Sequence, residues 1–223
     1  VKFARVTLEL NKAHFPVTVL GPGRRIGVWL QGCSIGCAGC VSMDTWPRDT
    51  SRAVPIADLL VWCKRVAAAG FDGVTISGGE PFDQPDGLRA LLQALHAWRR
   101  QAALDFDILG YSGYPLKALQ RRHPKLLAAL DAVIAEPFVQ SQPPDALWRG
   151  SANQTLVPLT ALGQQRYATF VAAPQAPPDK RMQVAVEGGR VWMIGIPERG
   201  DLAKVEALCQ SRGLSLEQVS WRR

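Results

Sequence analysis

Apolar residues recur along the chain in two alternating rhythms. They fall at Ile56, Leu59, Leu60, Cys63, Val66 and Ala67, and again at Leu88, Leu91, Leu92, Leu95 and Trp98. Spacings of three and four place each set on one face of a helix, the first opened by Pro55 and closed by Gly70. Around these stretches come short unbroken apolar runs: Val28-Trp29-Leu30, Val74-Thr75-Ile76, Phe106 to Leu109 and Ala132-Val133-Ile134-Ala135. Runs of this length bounded by turn residues read as buried strands. Pro115 and Pro124 each start a short helical segment, carrying Leu116 and Leu119 and then Leu126, Leu127 and Leu130. Strand alternating with helix predicts βαβ units and a mostly parallel sheet, an α/β fold.

The flanking regions read differently. Val6 to Leu10 and Val17 to Leu20 read as two short strands joined by Asn11-Lys12-Ala13-His14, a hairpin at a sheet edge with His14 solvated in its turn. His96 falls off the apolar face of its helix and is expected in solvent. Leu156-Val157 is a further apolar pair. The chain before Val157 is too short for the about 250 residues of a closed eightfold barrel, so a partial barrel or an open sheet fits better. Ala173 to Pro178 is proline-rich and reads as a linker or surface excursion. Beyond it, Gln183 to Val186 and Val191 to Ile196 flank Gly188-Gly189, a hairpin signal. Asp201 caps a last helix with a stripe of Leu202, Val205, Leu208 and Cys209, ended by Gly213. The expected organisation is a core over residues 1–160 and a small α+β extension over 161–223, packed on the core.

Composition narrows the class. With 47% hydrophobic and 20% charged residues in 223, the chain can bury a full core. No apolar run approaches the ~20 residues that span a bilayer, and the start, Val1 to Val6, alternates apolar and polar residues unlike a secretory signal. A cytoplasmic protein is expected. The net charge of +7 raises the question of nucleic acid. Its arginine pairs, Arg24-Arg25, Arg99-Arg100, Arg121-Arg122 and Arg222-Arg223, are dispersed and read as solvated charges, so a nucleic-acid groove is not expected. Five cysteines is an odd number, and three of them crowd into the stretch Cys33 to Cys40, a pattern that suits a metal or redox site in a reducing compartment.

That crowded stretch carries the chemistry. Cys33, Cys37 and Cys40 stand in CxxxCxxC spacing on a glycine-rich loop directly after the apolar run at Val28. Soft thiolates hold zinc or iron–sulfur clusters. Structural zinc takes four closed ligands, and no second cysteine or histidine pair completes such a site; ferredoxin-type clusters likewise use four cysteines. Three cysteines leave one iron of a cubane open, which favours chemistry at that iron. Ser77-Gly78-Gly79-Glu80-Pro81, Tyr111-Ser112-Gly113-Tyr114 and Glu136 follow other strands in the same way. In parallel α/β sheets the carboxyl ends of strands share one face, so these turns are expected to meet there. The glycines permit close approach to a ligand, and the Glu80 carboxylate can hold an amine.

CxxxCxxC after one strand and Gly-Gly-Glu-Pro after the next resemble the radical S-adenosylmethionine superfamily. Gly21-Pro22-Gly23-Arg24, Trp29-Leu30-Gln31-Gly32-Cys33, Tyr111 to Tyr114, Glu136-Pro137-Phe138 and Arg149-Gly150-Ser151-Ala152-Asn153-Gln154 resemble, more narrowly, the anaerobic ribonucleotide reductase activating enzymes, which install a glycyl radical. The resemblance runs from about Val6 to Val157 and implies a partial (β/α) barrel. It implies that Cys33, Cys37 and Cys40 ligate three irons of a [4Fe–4S] cluster, with S-adenosyl-L-methionine chelating the fourth. The turn Gly78, Gly79, Glu80 and Pro81 would bind that cofactor, its amino group at Gly78 to Glu80. Ser112, Glu136, Ser151 and Asn153 would line the same pocket; each also fits a turn or capping role. The implied reaction is reductive cleavage to a 5′-deoxyadenosyl radical, which abstracts a hydrogen atom from the substrate. The implied partners are a glycyl-radical enzyme and an electron donor such as flavodoxin or ferredoxin. Where much of the superfamily has an aromatic residue before the third cysteine, this chain has Gly39, as the activating enzymes tend to. Those enzymes are generally shorter, and the extension from about Thr160 is not explained by the resemblance. Two other readings stay open: direct radical modification of a peptide or small molecule, and a non-catalytic electron-transfer or zinc-binding module.

Overall fold

The computed structural model describes residues 6–171, 182–187, 190–198, 200–216 and 218–222. Strand β1 (Thr7–Val17) is a single strand, where a two-strand hairpin was expected. Register shifts between Leu10 and Lys12 and between His14 and Val17 absorb the polar residues without a turn. The strand then keeps antiparallel partners on both sides, β2 (Arg25–Leu30) and β3 (Ala53–Pro55). His14, expected in solvent, is only 4% exposed, its ring 4.7 Å from that of Trp192. That neighbour arrives from far along the chain, so the local sequence carried no sign of the burial.

The βαβ rhythm appears as anticipated. Helix α1 (Ile56–Ala67) leads to β4 (Gly73–Gly78), α2 (Pro85–Gln101) to β5 (Asp107–Tyr111), and the short α3 (Leu116–Arg122) and α4 (Pro124–Leu127) to β6 (Ala132–Ala135). Strands β2, β4, β5 and β6 are adjacent and parallel. An antiparallel β7 (Thr155–Pro158) closes one side of the sheet, and β1 and β3 the other, giving the order β3-β1-β2-β4-β5-β6-β7. The fold is therefore mixed α/β around a parallel-rich sheet.

Alternate residues of the central strands feed two different cores. Ile26, Val28, Leu30, Ile76, Ile108 and Val133 pack with Ile56, Leu59, Leu91 and Leu95 of α1 and α2. Cys63 sits in this layer without exposure, its thiol pushed up to about 12 by burial, and is a core residue as expected. On the other face, Leu109, Ala132 and Ile134 meet Tyr167 of α5 (Ala161–Val171), a helix whose weak apolar periodicity gives no signal in the sequence. Beside it, Trp29 and Val17 meet Ile194 from the hairpin β8 (Met182–Glu187) and β9 (Arg190–Gly195). The Gly188-Gly189 turn and the proline-rich stretch 173–178 lie outside the described residues.

Three smaller expectations are corrected. His96 is half-buried: Nε2 lies 2.8 Å from the Ala129 carbonyl oxygen and Nδ1 2.9 Å from an Arg99 nitrogen, so it bridges α2 to the turn after α4. Arg25, counted among solvated charges, has no exposed surface because Asp107 pairs with it inside the sheet. Helix α6 (Asp201–Ser211) has Gly200 as its N-cap and Asp201, the expected cap, as its first helical residue; its stripe leaves Leu208 59% exposed and Cys209 half-buried. No helix among the described residues is long and apolar enough to cross a membrane.

Candidate metal and cofactor site

The cysteine loop leaves the carboxyl end of β2, and its first residues are laced to both neighbours. Gly32 N–H donates to the Thr45 carbonyl at 2.7 Å and Cys33 N–H to that of Trp46 at 3.0 Å. The Gln31 amide donates to the carbonyls of Pro47 (2.6 Å) and Asp44 (3.2 Å). On the other side, Gly79 N–H reaches the Leu30 carbonyl at 2.8 Å and Glu80 N–H that of Gly32 at 2.9 Å. This contact is why two glycines stand in the turn after β4. A Cβ on Gly79 would lie 2.1 Å from the Gly32 oxygen, and one on Gly78 2.3 Å from the Leu30 nitrogen, at a φ of +106° that L side chains rarely adopt.

All three loop cysteines are half-buried and free. Backbone N–H groups of Ile35 and Gly36 point at the Cys33 sulfur, and that of Phe138, beyond β6, at the Cys37 sulfur. Ser42 N–H donates to the Cys40 sulfur at 3.4 Å. Burial pushes the Cys33 and Cys37 thiols up, and these N–H groups oppose it. Left-handed φ values at Gly36 (+61°) and Gly39 (+75°) turn the loop between successive cysteines.

Glu80 is 1% exposed and joins the turns after β4 and β5. Its Oε1 accepts from Phe82 N–H (3.0 Å) and the Ser112 hydroxyl (2.9 Å), and its Oε2 from Gly113 N–H (2.8 Å). Pro81, buried beneath it, starts a single 3-10 turn. Glu136 takes an unusual φ of +89°, its N–H donating to the Tyr114 carbonyl and its Oε1 accepting from Leu116 N–H at 3.1 Å. Ser151 Oγ accepts from Val139 N–H (3.1 Å), and the Asn153 amide donates to the Pro137 carbonyl (2.8 Å). The structure thus brings the cysteine loop and all the expected turns to one end of the sheet. Each of Ser112, Glu136, Ser151 and Asn153 holds a turn there by a hydrogen bond within the protein.

Burial pushes the Glu80 carboxyl up to about 7, against the pull of the Phe82 and Gly113 N–H groups and the Ser112 hydroxyl. The folded state then holds a proton that the unfolded chain has already released, so stability is full below the ordinary 4.5 and falls as pH rises to about 7. The expected loss across that window is on the order of 3 kcal/mol, at ~1.4 kcal/mol per unit. Urea titrations of the cluster-free protein at a series of pH values check it. In Glu80→Gln the slope between pH 4.5 and 7 should vanish, and an unchanged slope would assign it to another group.

A second clamp joins residues whose partnership has no local signature. Ser34 N–H donates to Asp83 Oδ2 at 2.8 Å, Tyr114 OH to Asp83 Oδ1 at 2.7 Å, and the Ser34 and Tyr114 hydroxyls lie 3.0 Å apart. The residue next to Cys33 is thereby tied to the turns after β4 and β5. Tyr114 ends the Tyr-Ser-Gly-Tyr turn and Asp83 lies two residues past Gly-Gly-Glu-Pro, but their partnership appears only once adjacent strands bring the turns together.

Residues 19–157 match the family model described as a 4Fe-4S single cluster domain. The anaerobic ribonucleoside-triphosphate reductase-activating protein of Vibrio cholerae serotype O1 is 31% identical over 147 residues, 64% of this chain and 94% of that protein. The chain belongs to this radical S-adenosylmethionine activating-enzyme family. The pyruvate formate-lyase-activating enzyme of Streptococcus mutans is 29% identical over 178 residues, 78% of this chain and 65% of that enzyme. A crystal structure of QueE from Escherichia coli aligns over 48% of this chain and 53% of that one, at 23% identity and a TM-score of 0.40, too partial a likeness to bear on the site.

The family's cofactors are a [4Fe–4S] cluster and S-adenosylmethionine, and the donor set suits the first. Three thiols on one loop, each with backbone N–H groups aimed at its sulfur, are what iron–sulfur thiolates need. Among the described residues no three His, Cys, Asp or Glu side chains are gathered closely enough for one metal ion. A cubane differs in that each thiolate binds a separate corner.

Proposed function

We propose that this chain is the activating enzyme of a glycyl-radical enzyme, such as an anaerobic ribonucleotide reductase. The observation that carries the reading is the hydrogen-bonded joint between the Cys33–Cys40 loop and the Gly78-Gly79-Glu80 turn, at the carboxyl ends of adjacent parallel strands. Cys33, Cys37 and Cys40 hold three irons of the [4Fe–4S] cluster. The turn Gly78 to Pro81 receives S-adenosylmethionine, its amino group at Gly78, Gly79 and Glu80, and Ser112, Glu136, Ser151 and Asn153 shape the wall around it. When bound and reduced, the cluster supplies the electron that splits S-adenosylmethionine into methionine and a 5′-deoxyadenosyl radical, which takes a hydrogen atom from the target glycine.

The chain's own part is positional. The Glu80 carboxylate sets the distance between the β4 and β5 turns, and the Ser34–Asp83–Tyr114 clamp sets the tilt of the cysteine loop against them. Parallel strands with intervening helices support a partial (β/α) barrel as the finer architecture. Residues 1–160 form the catalytic core and 161–223 an extension packed on it, a division supported by the family match ending at residue 157. An electron donor such as flavodoxin or ferredoxin supplies the reducing equivalent. Three of five cysteines crowded on one cluster-binding loop suit a reducing compartment, the cytoplasm.

The test is anaerobic incubation of reconstituted, reduced protein and S-adenosylmethionine with co-expressed glycyl-radical enzymes. A carbon-centred glycyl doublet in the electron paramagnetic resonance spectrum is expected. Cofactor cleavage without a doublet on any of them would move the reading to direct modification of a peptide or small molecule.

A further inference from the structure

The last described residues return to the cysteine loop. The Ser220 carbonyl accepts from Asp44 N–H at 3.2 Å, and the Ser220 hydroxyl donates to the Val41 carbonyl at 2.8 Å. Both partners lie just past Cys40, so residues 218–222 strap the descending limb of the loop. Helix α6 sets the strap's far end. Glu206 Oε1 accepts from the Trp221 indole N–H at 2.6 Å and pairs with Arg222 Nε at 3.4 Å. Arg222 then lines a cavity of about 790 Å³ whose wall includes Cys33, Ser34, Asp44 and Trp46.

The lining separates two sides of the loop. Gly78, Glu80, Ser112, Glu136, Ser151 and Asn153 are not part of this wall. The cavity therefore meets the cysteine loop at Cys33, Ser34 and Gly36 without involving the turns assigned to S-adenosylmethionine. Of the charged groups in the wall, Asp44 is bound to Lys12 at 2.7 Å, and Arg222, paired with Glu206 at 3.4 Å, is the basic one.

We propose that the strap is a working part of the cluster site and that Arg222 is a positioning residue that favours the reduced cluster. The proposal rests on the reading that Cys33, Cys37 and Cys40 hold that cluster. Reduction adds one electron from an external low-potential donor, taking [4Fe–4S]²⁺ to [4Fe–4S]⁺. A nearby cation stabilises the more negative state, and net charge and solvent exposure are the terms through which a protein sets an iron–sulfur potential. The Arg222 side chain is 55% exposed, so salt screens its effect.

The experiment is a dithionite titration with redox mediators, read by electron paramagnetic resonance, on reconstituted wild type, Arg222→Glu, Arg222→Gln, Arg222→Lys and a chain cut after Leu214. At a fixed poise, Arg222→Glu should lower the ratio of reduced to oxidised cluster by about three- to tenfold, tenfold being 59 mV for a one-electron couple. Arg222→Gln should show a smaller drop and Arg222→Lys about none, and added salt should shrink the differences. The cut chain should match Arg222→Gln and lose iron to a chelator several times faster than wild type. Equal potentials in loaded wild type, Arg222→Glu and Arg222→Gln would overturn the proposal while leaving the cluster reading intact. A wild type that takes up no cluster would overturn both.

Discussion

Replacing Cys33 by alanine is expected to abolish S-adenosylmethionine cleavage while leaving the fold in place. The loop keeps its course because the Cys33 backbone N–H still reaches the Trp46 carbonyl and the Ser34 N–H still reaches Asp83. Only the sulfur is lost. The activity should fall by more than ~100-fold, the upper range for losing a supporting group instead of a ligand. Cys37→Ala and Cys40→Ala should behave alike, because each removes one of the three thiols proposed to hold a cluster that has no spare. Iron content, visible absorption and release of methionine and 5′-deoxyadenosine measure the loss, and far-ultraviolet circular dichroism measures the fold. Cys63→Ala is the internal control: its thiol lies in the α1 core, so it should cost stability and spare the cluster. Undiminished cleavage in Cys33→Ala, or no cleavage by a fully loaded wild type, would sink the assignment.

The largest loss of stability is expected from Asp107→Asn. Arg25 opens β2 and Asp107 opens β5, and between them β4 supplies Thr75. The guanidinium donates to Asp107 at 2.7 and 3.1 Å, to the Thr75 hydroxyl at 2.6 Å and to the Val74 carbonyl at 2.9 Å, with neither charged side chain exposed. Arg166 and Tyr167 of α5 reach the same carboxylate. Burial alone would raise the Asp107 carboxyl, but Arg25, Tyr167 and Arg166 together hold it below its ordinary value. Neutralising it leaves a buried guanidinium without its counter-charge, which costs about 3–5 kcal/mol. Arg25→Met should cost a comparable amount. The paired change Arg25→Met with Asp107→Leu should cost less than either alone, since it removes both desolvated charges. Guanidinium unfolding curves of the three variants check the order, and additive losses would show that the two residues are not coupled. Since β2 carries the cysteine loop at its other end, the single variants should also load iron less completely.

Much of the site was legible because its chemistry is local. CxxxCxxC needs only short-range spacing to put three thiols on one loop, and Gly-Gly-Glu-Pro after a buried apolar run announces a turn at a strand end. The parallel sheet was legible for the same reason: each apolar rhythm belongs to one element and is set by the period of that element. What escaped depends on partners distant in sequence. Asp83 and Tyr114 look unremarkable until adjacent strands place them around Ser34, and the hold of Glu80 on Ser112 and Gly113 shows only once the β5 turn lies beside it. The hairpin misreading in β1 has another cause, since bulges let one strand carry polar residues that a flat strand would expel.

By itself, then, the sequence determined which three thiols share one loop and which stretches alternate as strand and helix, because both follow from spacings shorter than one element. Only the tertiary structure decided which charges are buried, which turns share hydrogen bonds, and that the carboxy-terminal strap reaches the cysteine loop. Burial and pairing depend on what the folded chain brings from tens of residues away: Arg25 reads like any surface arginine until Asp107 lies beside it, and Arg222 like another solvated charge until Ser220 ties its segment to Val41 and Asp44.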